Sequence, residues 1–105
     1  MIRLKYRGEV YRLYKGFYVS GGTVSIAAEI EGPGGKTVQI TRNLSEMSYG
    51  LGPNQAFLNT PKLGFGIISA LNEIHAGSDT GFAVFDNHGN EIPIYEFKES
   101  FLKKL

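Results

Sequence analysis

Four turn signals cut this chain into short runs of alternating polar and apolar residues, and that spacing leaves room for little besides β-hairpins. Ile2, Leu4 and Tyr6 alternate with Arg3, Lys5 and Arg7, a period of two that marks a half-buried strand. Arg7-Gly8 then supplies a tight turn, and Glu9–Lys15 alternates again with Tyr11 and Leu13 on one face, so the pair reads as a hairpin. Gly16 punctuates, Phe17–Ser20 reads as a short strand, and Gly21-Gly22 as a further turn. Val24, Ile26, Ala28 and Ile30 line one face of a longer strand. Gly32-Pro33-Gly34-Gly35 is the strongest turn signal in the chain, and Val38 and Ile40 continue as the returning strand. Near the end, Phe82 and Val84 face Ile92 and Ile94 across Asp86-Asn87-His88-Gly89-Asn90, a second hairpin. Pro93 cannot donate to a ladder and belongs at an edge or a bulge.

Two stretches escape this pattern. Between Asn43 and Gln55 the periodicity disappears, leaving an irregular loop, and Ala56–Leu58 follows as a brief strand. Leu63, Ile67, Leu71 and Ile74 then fall at helical spacing, with Ile68 widening the stripe. Thr60 is placed to cap this helix, Pro61 suits its first position, and Gly77 is the candidate left-handed C-cap. Gly64 and Gly66 weaken its first turns by roughly 1 kcal/mol each relative to alanine. They either allow close packing or mark a later start. The tail Ser100–Leu105 adds at most a helical turn. The expectation is a single α+β domain over residues 1–105: a twisted antiparallel sheet of hairpins with one helix, about 61–76, packed across one face.

Composition narrows the function classes. At 105 residues the chain fits one domain, and 42% hydrophobic content is enough for a core without cross-links. There is no cysteine, which excludes disulfides and thiolate metal sites and points to the cytoplasm. No run approaches the ~18 apolar residues of a membrane span, and the charged N-terminus lacks a signal peptide's apolar stretch. Net charge is +1, but residues 1–15 are basic and residues 73–99 acidic, so the two segments either pair within the fold or present separate faces.

The chemical motifs dissolve on inspection. Gly35-Lys36-Thr37 imitates the end of a phosphate-binding loop, yet Ile30 stands where the first glycine is needed and a strand follows instead of a helix. Asp86, His88 and Asn90 imitate the first ligands of a calcium loop, but the glycine is misplaced and the twelfth position is Phe97. Two histidines, His75 and His88, have no metal-binding spacing, and no GxSxG elbow is present. No catalytic residue, metal ligand or cofactor site is assigned, and the chain reads as a non-enzyme.

Two binding surfaces remain. The opening hairpin interleaves Arg3, Lys5, Arg7 and Arg12 with Tyr6, Tyr11 and Tyr14: cations for phosphates, rings for bases. The same alternation also keeps any edge hairpin solvated. In the irregular loop, Met47, Tyr49 and Leu51 either tuck beneath the backbone or anchor a protein partner.

The segments Thr41-Arg42-Asn43-Leu44, Ala56-Phe57-Leu58-Asn59-Thr60, Asp79-Thr80-Gly81 and Pro93-Ile94-Tyr95-Glu96-Phe97 resemble a family of small uncharacterised proteins carried on conjugative transposons, plasmids and phages of Gram-positive bacteria. The likeness covers roughly residues 36–105 and the opening hairpin. It departs from the family's pattern at the Asn87–Asn90 turn. The family has no assigned activity, so the resemblance implies a mobile-element setting and no site residues. Two functions are therefore expected: a protein-binding accessory or modulator acting on host defence or element machinery, as monomer or homodimer, or a nucleic-acid-binding accessory using the basic hairpin.

Overall fold

Backbone sign at two residues sets the first hairpin. Strands β1 (Arg3–Tyr6) and β2 (Glu9–Phe17) are joined by Arg7 at φ 50° and Gly8 at φ 79°. Positive φ at both central residues gives a turn whose twist matches that of the strands it joins. In this computed structural model, which describes residues 2–18, 23–44 and 50–105, β2 continues the sheet to β3 (Val24–Ile30) and β4 (Thr37–Gln39) in the order β1-β2-β3-β4. The turn before β4 needs its glycines: Gly32 and Gly34 have φ of 114° and 68°, and a Cβ on Gly35 would lie 2.1 Å from the Ile30 carbonyl oxygen. Gly16 does not break β2 as expected, because its pairing with Ser25 carries the ladder through to Phe17. The expected Gly21-Gly22 turn lies outside the described residues.

The expected single sheet is two sheets sharing a corner. At Ile40 the returning strand leaves β3: the Ile40 N–H donates to the Ile26 carbonyl (2.9 Å), while the Ile40 carbonyl accepts from Asn59 N–H (2.8 Å). The next residues form β5 (Thr41–Arg42), which opens a second sheet with β6 (Gln55–Leu58), β7 (Gly77–Phe85) and β8 (Glu91–Phe97), in the order β5-β6-β8-β7. A strand that bends and changes sheets is how two sheets meet at a steep angle. Thr41, fully buried, fixes the bend through its hydroxyl, which accepts from Ile26 N–H (3.1 Å) and meets Tyr18 Oη at 2.7 Å.

The expected helix over 61–76 is also divided. It forms α1 (Thr60–Leu63) and α2 (Gly66–Glu73), parted at Gly64 with φ 79°. The cause is the first hairpin: a Cβ on Gly64 would lie 2.6 Å from Arg7 Nη2, and one on Gly66 would lie 3.1 Å from Tyr6 Oη. The Tyr6 hydroxyl donates to the Leu63 carbonyl across the gap. Asn59, not Thr60, holds the cap position, and the Thr60 hydroxyl instead donates to the Glu91 carbonyl (3.0 Å). At the other end His75, not Gly77, takes the left-handed position (φ 57°). Its N–H reaches Asn72 O (3.0 Å) and the Ala76 N–H reaches Leu71 O (3.0 Å), the two bonds of a Schellman ending. Gly77 is needed for another reason, since a Cβ there would lie 1.9 Å from the Glu96 carbonyl oxygen.

Helix α2 packs against β1 of one sheet and β7 of the other, and a final turn α3 (Glu99–Leu102) follows β8. The apolar stripe serves as expected: Ile67 and Leu71 are fully buried with Leu4, Leu13 and Ile26 from one sheet and Leu58, Tyr95 and Phe97 from the other. One core thus spans both sheets, and the described residues form an α+β arrangement of two antiparallel sheets and three short helices. No helix among the described residues is long and apolar enough to cross a membrane.

Candidate functional site

Side-chain alternation splits the basic hairpin. Cross-strand partners share a face, and the pairs Arg3↔Arg12, Arg12↔Glu29 and Tyr14↔Ala27 put Arg3, Arg12 and Tyr14 on the outer side with Lys5. Leu4↔Tyr11 puts Tyr11 on the core side, where Tyr6 also packs. The rings expected to stack on bases are therefore divided, and only Tyr14 is exposed beside the cations. Arg3 pairs with Glu31, and Arg12 with Glu29, whose carboxylate holds the Arg12 guanidinium above its ordinary pKa by hydrogen bonding. These acids come from β3 and the turn after it. The expected pairing of the basic segment with the acidic residues of 73–99 is not how Arg3 and Arg12 are neutralised.

Cations of the hairpin also line a furrow along β1, which is an edge strand among the described residues. At the hairpin tip a cavity of about 430 Å³ is bounded by Lys5, Tyr6, Arg7, Glu9 and Val10. It shares Lys5 and Val10 with a second cavity of about 260 Å³, which adds Arg3 on one wall and Ala70, Glu73 and Ile74 of the α2 side on the other. Ile74 in turn borders a third, of about 230 Å³, with Ile2 and Phe101 as floor and His75, Lys98, Ser100 and Lys104 around it. Arg7 lies over the Tyr6 ring, 5.1 Å from its centre. The sequence offers no signal for Lys98 and Lys104, which join the first strand only through the packing of α3.

A second feature is the opposite edge of the fold. Among the described residues strand β7 hydrogen-bonds to β8 alone, and it displays Phe82 and Phe85 at 73% and 62% exposure. Pairing slips between Asp79↔Tyr95 and Ala83↔Pro93, so three residues of β7 oppose Ile94. This bulge satisfies itself: Gly81 N–H donates to Asp79 Oδ1 (3.1 Å), Phe82 N–H to Thr80 Oγ1 (3.1 Å), and the Thr80 hydroxyl to Ile94 O (2.7 Å). Pro93 sits beside the bulge, as its missing N–H requires, although β8 is an interior strand. Beyond it the ladder is regular. Asp86 N–H bonds Asn90 O (3.0 Å), so by alternation Val84 bonds Ile92, while Ala83 and Phe85 direct N–H and C=O away from the sheet. The missing donor of Pro93, opposite Ala83, is consistent with that phase.

The calcium-like turn is a structural hub. Asp86 Oδ1 accepts from His88 and Asn90 N–H (both 2.9 Å), and Oδ2 from Arg42 Nη1 (2.8 Å) and Asn90 Nδ2 (3.0 Å). Arg42 and then Asn90 hold this carboxyl far below its ordinary value. Its lone pairs are committed to N–H donors, leaving none aimed at a cation. Among the described residues no group of three histidine or carboxylate side chains is placed to hold a metal. Of the candidate partner-binding loop, Leu51 is half-buried, and Met47 and Tyr49 lie outside the described residues.

No protein-family model matches the chain, and searches of the curated proteins and of the solved structures return no similar protein.

Proposed function

We propose that this chain is a non-enzymatic, cytoplasmic protein-binding module that receives an extended segment of a partner on the free edge of β7. The observation that carries the reading is an edge strand with outward backbone groups at Ala83 and Phe85, flanked by two exposed phenylalanines. Proteins ordinarily blunt such edges with lysine, proline or charge. Residues 80–85, Thr-Gly-Phe-Ala-Val-Phe, carry none of these. A partner strand would gain main-chain hydrogen bonds there, with Phe82 and Phe85 selecting its apolar side chains. A second copy fits less well. Only residues 83–85 are regular between the bulge and the Asp86 turn, too short for a stable two-fold ladder, whereas a flexible segment can follow the bulge. In the mobile-element setting that the resemblance implies, the partner is a component of host defence or of the element's own machinery.

Selection from a displayed random-peptide library tests this. Peptides of alternating apolar residues are expected, and they should lose binding to Ala83→Pro, which removes an outward N–H and no ladder bond. Peptides that bind Ala83→Pro as well as the unaltered chain would contradict the proposal. So would a concentration-dependent dimer that the same substitution abolishes.

A further inference from the structure

From the furrow along β1 we infer a second binding site, for single-stranded nucleic acid held by its phosphodiester backbone. Three cavities adjoin, the first two sharing Lys5 and Val10 in their walls and the last two sharing Ile74. Cations follow the whole course: Arg7 at the tip, Lys5 and Arg3 along the strand, then Lys98 and Lys104 beyond it. Among the described residues, Lys5, Arg7, Lys98 and Lys104 of this row form no ion pair. Two carboxylates, Glu9 and Glu73, border the first two cavities, and none borders the third.

Spacing and shape choose the ligand. Alternate residues of a strand stand roughly 6.6 Å apart, so Arg3 and Lys5 repeat on the scale of successive phosphates in a drawn-out single strand, and Arg7 follows them in the turn. The apolar floor of Ile2, Val10, Ala70, Ile74 and Phe101 suits the sugar between them. A concave track between a strand edge and a helix suits a single strand better than a flat lipid surface. Tyr6 offers no free ring, since Arg7 covers it and its hydroxyl is committed to Leu63, and Phe101 is buried; the exposed ring at the border is His75, at the far end. The track therefore holds the backbone by charge along most of its course. This differs from the hairpin expected from sequence, because Arg12 and Tyr14, though on the same face as Arg3 and Lys5, line none of the three cavities, whereas Lys98 and Lys104 do.

Fluorescence anisotropy with labelled 15-mers of oligo-dT and oligo-dA, over a salt series, tests the site. Engagement of about four phosphates predicts a log–log salt slope of about −3, the same for both oligonucleotides. The double variant Lys98→Glu/Lys104→Glu should weaken binding at least tenfold at low salt and flatten the slope by about one, as should Lys5→Glu alone in smaller degree. Tyr14→Ala, on the outer face, should change neither. Thermal melting confirms that each variant folds. Absence of binding at low salt, binding indifferent to the lysine pair, or binding to anionic vesicles in preference to the oligonucleotides would each overturn the inference. Ala83→Pro should leave oligonucleotide binding intact, so this site and the β7 edge can fail separately.

Discussion

Asp86 shows how far one residue's chemistry could be foreseen. The Asp-Asn-His-Gly-Asn run is legible as a turn because a short carboxylate bonds its own backbone two and four residues on. Arg42, from a strand three ladders away in the sheet, is not legible, since nothing local points to it. The ion pair makes a pH prediction. The folded pKa lies far below the ordinary 3.8, so the stabilisation is fully present above that value and is lost progressively as pH falls from it toward the lower folded pKa. Asp86→Asn should lower the melting temperature at pH 7 and narrow the gap to the unaltered protein as pH drops below about 4. Melting curves from pH 7 to pH 2 check it, and parallel profiles would contradict it. His75 makes the complementary point: a left-handed cap is foreseen only when glycine fills it, and Gly77 was conspicuous for an unrelated reason.

At the scale of elements, local pattern is a good guide wherever the partner is local. Both hairpins follow from period-two alternation and turn residues, and the stripe of Leu63, Ile67 and Leu71 follows from helical spacing. The break in the helix does not, because it depends on Tyr6 and Arg7, which arrive from the far end of the chain. Gly64→Ala separates the two views by sign. In a continuous helix the substitution would stabilise by roughly 1 kcal/mol. At φ 79°, with Arg7 Nη2 at 2.6 Å from the new Cβ, it should destabilise by about 1–2 kcal/mol. Urea unfolding midpoints give the answer.

For the whole molecule, the least legible feature is the corner. Val38 and Ile40 continue one alternation, and nothing in it says that the strand changes sheets after Ile40. The decision is tertiary: Ile40 bonds both Ile26 and Asn59, and Thr41 supplies the buried oxygen that the Ile26 N–H requires. Thr41→Val keeps the volume and strands that donor, at a cost of about 1–3 kcal/mol. Chemical denaturation should show the loss in a single transition, since one core spans both sheets. The same closure assigns the molecule's two candidate surfaces, for α2 separates the β1 furrow from the β7 edge. Neither surface is visible in the sequence as a motif. One is a row of cations gathered from both ends of the chain, and the other is a strand whose missing charges matter only once it is known to lie at an edge.

Amide hydrogen exchange of the isolated protein, resolved by residue, tests the β7 edge most directly. Ala83 and Phe85 should exchange far faster than Val84 between them, and should slow when a strand-forming peptide is added. Protection of all three to the same degree in dilute, unliganded protein would show that the edge is already occupied and contradict the account.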